Sequence, residues 1–241
     1  MKQLVKLAIA GALMLLLSGR PAMAQTPVSI ELVLLVDTSL SVNNEEYDLQ
    51  MSGIAQAFRS EDIINLIGLY DGVAVTLIQW GGWTSEKHTV PWQLLKSRRS
   101  ILEFARQVEQ TRRENVGYFT AIGTAIGAAI KTIVENEYAG KLRKIDVSGD
   151  GVNNAGPRPQ STKAIAEQLG ITVNGLAVRT DLSILDQYYR ENVISGPGAF
   201  VITAERYSDF ARAMHKKLKK ELEVPVSFRK SSPAPQRAAL Q

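Results

Sequence analysis

The segment Ile30-Glu31-Leu32-Val33-Leu34-Leu35-Val36 is a near-continuous apolar run, followed at once by Asp37-Thr38-Ser39-Leu40-Ser41. A strand that is apolar at successive positions must be covered on both faces, as a central strand of a parallel sheet is. Just beyond it, Tyr47, Met51, Ile54 and Phe58 recur at helical spacing, and Asn43 with Glu46 forms a capping-box pair. The chain therefore opens as a buried strand, a polar turn and a one-faced helix. Val73–Trp80 repeats the buried-strand pattern, and weaker strand candidates are His88–Trp92, Arg143–Ser148, Ile171–Val178 and Ala199–Thr203. Further helices are predicted from Ile101, Ala105 and Val108, from Ile122, Ile126, Ile130 and Ile133, and from Phe210, Met214, Leu218 and Leu222. The Ala and Gly residues of the Ile122 helix would let it sit close to the sheet.

Strands alternating with helices imply an α/β domain with a mainly parallel sheet. The short connection from Trp80 to His88 suits a hairpin, which makes one edge strand antiparallel. With 241 residues, 45% of them apolar, the chain can bury one sizeable core. Cysteine is absent, which excludes disulfide scaffolds, thiolate metal sites and cysteine nucleophiles, and His88 and His215 are too few for a multi-histidine metal centre.

Residues 1–24 carry Lys2, Lys6 and Arg20 and no acid, then the apolar run Leu7–Leu17, and end in Ala22-Met23-Ala24. That is the pattern of a secretory signal peptide cleaved before Gln25. A membrane anchor needs about 20 apolar residues, and Arg20-Pro21 interrupts this run too early. The net charge of +4 belongs largely to the leader; without it bases and acids nearly balance, so nothing in the charge calls for a nucleic-acid partner. The expected organisation is a leader over 1–24, one domain over 25–224, and a disordered tail over 225–241 rich in Pro, Ser, Arg and Gln.

The polar turn carries the chemistry. In an open parallel sheet, ligands bind beyond the carboxyl ends of the strands. Asp37, Ser39 and Ser41 place one acid and two hydroxyls at alternate positions there. Oxygen ligands of this kind suit a hard cation such as Mg²⁺, whereas the plainer reading makes Asp37 a helix cap and the serines a solvated turn. Thr120 stands at the start of the Ile122 helix. Asp150 follows a strand, between Gly149 and Gly151, which are expected to allow a tight turn.

In this order the three segments resemble the metal-ion-dependent adhesion site of the von Willebrand factor A-type domain. Its D-x-S-x-S motif, helix-start threonine and strand-end aspartate fall on Asp37, Ser39, Ser41, Thr120 and Asp150. The resemblance spans roughly residues 28–224 and implies a Rossmann-like sheet of about six strands with helices on both faces. Ser148–Asn154 and Tyr188–Phe200 look like an uncharacterised bacterial group of exported A-type proteins. The serine-glycine pair before Asp150 departs from the commoner threonine. The resemblance further implies a divalent cation, Mg²⁺ first with Mn²⁺ or Ca²⁺ as alternatives, and Asp150 acting through water. The cation would capture an Asp or Glu carboxylate of a protein partner, without nucleic acid or a stable membrane anchor.

An exported binding module of this kind is the leading reading. A metal-dependent phosphatase or hydrolase is the alternative, but an aspartyl nucleophile commonly wants a second acid two residues on, where this chain has Ser39. A metal-free scaffold is the third. Asn153 and Asn154 are read as turn residues, Trp80-Gly81-Gly82-Trp83 as packing under a loop, and His88 and His215 as surface residues. Lys216-Lys217-Leu218-Lys219-Lys220 reads as the solvated face of the last helix.

Overall fold

The computed structural model describes residues 25–82, 89–114 and 117–223. In chain order the elements are β1 (Thr26–Asp37), α1 (Asn44–Arg59), α2 (Glu61–Gly68), β2 (Val73–Trp80), β3 (Val90–Leu95), α3 (Arg98–Gln110), α4 (Ile122–Val134), β4 (Tyr138–Gly149), α5 (Pro159–Gln168), β5 (Ile171–Val178), α6 (Leu185–Asn192), β6 (Val201–Ala204) and α7 (Phe210–Leu222). The sheet order is β3-β2-β1-β4-β5-β6, and only the β2–β3 pair is antiparallel. This is the α/β architecture expected, with the hairpin edge where the short Trp80–His88 connection put it. His88 and Trp83 lie outside the described residues, as do the predicted leader and the residues of the tail.

β1 occupies the centre because its side chains are apolar on both faces. Ile30, Leu32, Leu34 and Val36 join the core under α1, α2, α3 and α7, while Val33 and Leu35 join the core under α4, α5 and α6. Glu31 interrupts the apolar run yet is buried. Its carboxylate accepts the Asn136 side-chain amide at 2.7 Å and the Gly140 backbone N–H, so the charge is met where water cannot reach. α1 begins with the predicted capping box: Asn43 Oδ1 accepts Glu46 N at 3.0 Å, and Glu46 Oε2 accepts Asn43 N at 2.9 Å.

Three helices escape the sequence reading. α2 follows α1 after a single residue and merges with its apolar pattern, α5 buries only Pro159, Thr162 and Ala166, and α6 is mostly polar. The glycines of α4 also serve a different contact from the one expected. Ala125 and Ala129 face the sheet core, but a Cβ on Gly123 would collide with the Pro157 carbonyl, so that glycine lets α4 approach the segment entering α5.

The lysine run requires a correction. Lys216, Lys219 and Lys220 are exposed, but Lys217 is fully buried. Its ammonium lies 2.9 Å from Asp146 on β4 and 3.0 Å from Glu221. Glu221 in turn accepts the Asn174 side-chain amide at 2.7 Å, and Lys144 stands at 3.7 Å from it. Burial disfavours the Lys217 cation, but Asp146 and Glu221 outweigh that cost and hold its pKa above the ordinary value. Register decides the matter: Lys217 follows Ala213 and Met214 on the core side of α7, and Asp146 gives it a counter-charge inside the sheet.

Candidate metal centre at the carboxyl edge of the sheet

The carboxyl ends of β1 and β4 lie side by side, with Val36 in register with Ser148 and β2 on the other flank pairing Asp37 with Trp80. Asp37 thus emerges at the point where strand order reverses. The turn after it is fixed by bonds to the main chain: Thr38 N donates to Trp80 O at 2.8 Å, and the Gln50 side-chain amide of α1 donates to Asp37 O at 3.0 Å. Asp37 Oδ1 accepts Ser39 N at 2.8 Å. The Ser39 and Ser41 hydroxyls are 3.2 Å apart, and Ser41 donates to Asp150 Oδ1 at 2.7 Å. Four of the five motif residues are therefore linked directly.

Thr120 is brought in by the two asparagines. Asn154 Oδ1 accepts Thr120 N at 2.8 Å, and Asn154 N donates to Thr120 O at 2.9 Å. Asn153 Oδ1 accepts Gly123 N at 3.1 Å, while its N–H donates to the Tyr188 hydroxyl at 3.1 Å. The bond from Asn153 Nδ2 to Ala155 O is a local turn contact. The others tie the loop after β4 to the start of α4 and to α6. Turn geometry, the role assigned from sequence, is the lesser part of what these residues do.

Gly149 serves a purpose beyond the tight turn expected, and neither it nor Gly151 adopts the left-handed backbone. A Cβ on Gly149 would lie 2.8 Å from Asp37 Oδ2, 2.8 Å from the Tyr189 hydroxyl and 3.1 Å from Trp80 Cζ2. Gly149 is a spacing residue, and it exposes a detail of the site. Asp37 Oδ2 and the Tyr189 hydroxyl, both buried, converge here without a hydrogen-bond partner, and the buried Trp80 Nε1 also lacks one. Trp80 packs beneath the loop, as its sequence context predicted.

Burial, and then the neighbouring Asp150 charge, push the Asp37 carboxyl up to about 7. Burial also raises Asp150, against the hydrogen bond from Ser41 and the influence of Tyr207, whose hydroxyl favours the ionised form without making a standard hydrogen bond. Two buried acids held together, one with an unpaired oxygen, are short of positive charge. The donor set is two carboxylates and three hydroxyls, all hard oxygen, which fits a Mg²⁺-like cation. Among the described residues no group of three or more His, Cys, Asp or Glu side chains is placed to hold a metal ion. This donor set does not depend on such a group.

The signals for Asn153 and Asn154 were present in the sequence beside Asp150, whereas Tyr189 and Tyr207 reach the site only through the packing of α6 and the turn before α7. Residues 27–226 match the family described as "Protein of unknown function (DUF1194)". The chain belongs to the DUF1194 family. This DUF1194 chain has the von Willebrand factor A fold. It is similar to proximal thread matrix protein 1 of the mussel byssus at 20% identity and TM-score 0.61, covering 82% of this chain and 49% of that one. A second structure of the mussel protein, with a zinc-occupied MIDAS motif, matches at 19% identity and TM-score 0.56, covering 82% and 48%. The von Willebrand factor domain of the type V pili tip protein Mfa5 from Porphyromonas gingivalis matches at 8% identity and TM-score 0.56, covering 82% and 97%. The DUF1194 chain thus spans about half the length of the mussel protein it resembles. No curated protein sequence matches it.

Proposed function

We propose that this domain binds a divalent cation, Mg²⁺ first, through Asp37, Ser39, Ser41, Thr120 and Asp150, and uses it to capture a carboxylate of a protein partner. The observation that carries the reading is the unpaired, buried Asp37 Oδ2 beside a second carboxylate, at the edge where the Ser39 and Ser41 hydroxyls meet. A bound cation supplies an electrophile with an exchangeable position for an outside oxygen ligand. The protein's share is positional: Ser41 aligns Asp150, Gln50 fixes the Asp37 backbone, and Asn154 holds the Thr120 loop against the Asp150 loop. The zinc-occupied MIDAS motif of the mussel protein supports the cation, and the likeness to the von Willebrand factor domain of a pilus tip protein supports a role in protein interaction. Ser39, which pairs with Ser41 where an aspartyl phosphatase wants a second acid, favours binding over phosphoryl transfer.

We further propose that the leader pattern over 1–24 directs export, with Gln25 as the first mature residue, and that the domain folds without 225–241, which is poor in apolar residues. N-terminal sequencing of the exported protein and melting of a 225–241 truncation check both. Calorimetric titration with Mg²⁺ tests the centre itself. Wild type binds, Asp37→Ala does not bind, and Ser39→Ala binds more weakly than wild type. Absence of binding in wild type, or unchanged affinity in Asp37→Ala, overturns the reading.

A further inference from the structure

Nine large hydrophobic side chains stand exposed among the described residues, and four of them lie within two positions of a motif residue. Leu40 (68% exposed) sits between Ser39 and Ser41, Tyr118 (69%) and Phe119 (52%) precede Thr120, and Val152 follows Asp150 by two. Singly exposed apolar residues are ordinary, but a set gathered around a polar, charge-binding centre is not explained by chance exposure. Leu40 and Tyr118 also line one cavity of about 320 Å³, together with Thr38, Asn44, Arg113 and Glu114.

The charges of that cavity indicate what it takes. The Arg113 guanidinium is fastened to the motif loop, donating to Ser39 O at 3.0 Å, Thr38 O at 3.2 Å and Asn44 Oδ1 at 3.0 Å. Its charge is balanced in the cavity wall by Glu114. The cavity therefore offers a neutral, partly apolar lining immediately beside a centre that attracts negative charge. The cavity adjoins the centre through the motif loop itself, since Thr38 and Leu40 belong to both.

We infer that the partner presents its carboxylate next to an aromatic or large aliphatic side chain, and that this side chain fills the cavity lined by Leu40 and Tyr118. The inference rests on the metal-centre reading above and adds the class of partner. The physical advantage is water exclusion: an ion-to-carboxylate contact is weak in bulk water and strong when an apolar rim seals it.

The test uses the purified protein and cyclic peptides of one design, with a central Asp followed by Phe, Leu or Ser, and an Asn-Phe control, read by fluorescence anisotropy in Mg²⁺. Asp-Phe and Asp-Leu are expected to bind about tenfold tighter than Asp-Ser, the discrimination that one apolar side chain in a pocket supports. Asn-Phe is not bound. In Leu40→Ser/Tyr118→Ser the preference disappears while calorimetry still shows Mg²⁺ binding. Equal affinity for Asp-Phe and Asp-Ser, a preference that survives in the double variant, or a Mg²⁺-loaded protein that binds none of the peptides overturns the inference and leaves the metal centre standing. Mg²⁺-dependent dimerisation abolished by Tyr118→Ser also overturns it, since the occupant is then a second copy of the chain. Failure of the wild type to bind Mg²⁺ removes the metal-centre reading and this inference with it.

Discussion

The hydroxyl of Ser41 donates a 2.7 Å hydrogen bond to Oδ1 of Asp150 across 109 residues of chain. The bond joins the loop after β1 to the loop after β4, so it brings the two ends of the motif together. Such a centre is largely pre-organised, and binding need not first gather its ligands at an entropic cost.

Gly149→Ala is expected to weaken Mg²⁺ binding more than any substitution of a neighbouring glycine. The added methyl group would press on Asp37 Oδ2 and the Tyr189 hydroxyl, both 2.8 Å away. At Gly151 the same addition meets Thr120 at 3.4 Å, ordinary contact distance. Titration calorimetry on both variants should give a loss of about tenfold or more at 149, an energy near that of a modest overpacking strain, and little change at 151.

Asn154→Ala removes the acceptor for Thr120 N and should cost about 1 kcal/mol of stability, as for a typical intramolecular hydrogen bond. Its effect on Mg²⁺ affinity should exceed its effect on folding, because the Thr120 loop is what it holds. Urea unfolding and calorimetry on the same samples separate the two.

The pH dependence of the metal-free protein follows from Asp37, whose carboxyl is raised from 3.8 to about 7. The folded state then holds that proton more tightly than the unfolded chain. On this account stability is greatest below 3.8, declines as pH rises from 3.8 to 7, and reaches its full loss above 7. Asp146, raised to about 6 by burial, acts in the same direction. Denaturation in EDTA at pH 5 and pH 8 should show the decline, and Asp37→Asn should reduce its slope. Mg²⁺, which competes with the proton, should bind more tightly across the same rise in pH.

Lys217→Ala should destabilise the domain by about 3–5 kcal/mol, because it leaves Asp146 buried without its counter-charge and Glu221 with Lys144 alone. Asp146→Asn/Lys217→Met should recover part of that loss, since no unpaired charge then faces β4. Chemical denaturation of the three proteins decides it, and a loss below about 1 kcal/mol in the single variant would show that the pair contributes little.

Much of this was legible in the chain because the relevant signals were local. The buried run of β1, the Asn43–Glu46 cap and the one-faced helix after it each identify themselves within a few residues. The five motif residues could be picked out by order and residue type, and the structure brings Asp37, Ser39, Ser41 and Asp150 into one bonded set. What escaped depends on distant partners. Lys217 looked solvated beside Lys216, Lys219 and Lys220; the available clue was Asp146, an acid between Ile145 and Val147 that had to be paired inside. Gly149 looked like a turn residue because its actual neighbours, Asp37 and Tyr189, come from other strands and helices.

The position of β1 has a further consequence, for the timing of folding. The first strand to be made lies at the centre of the sheet, and one of its neighbours is β4, in which Ser148 pairs with Val36. A chain emerging from its amino end therefore cannot complete the middle of its own sheet until well over half of it has been synthesised. If the leader proposed above directs export, that delay keeps the sheet open during passage through the membrane.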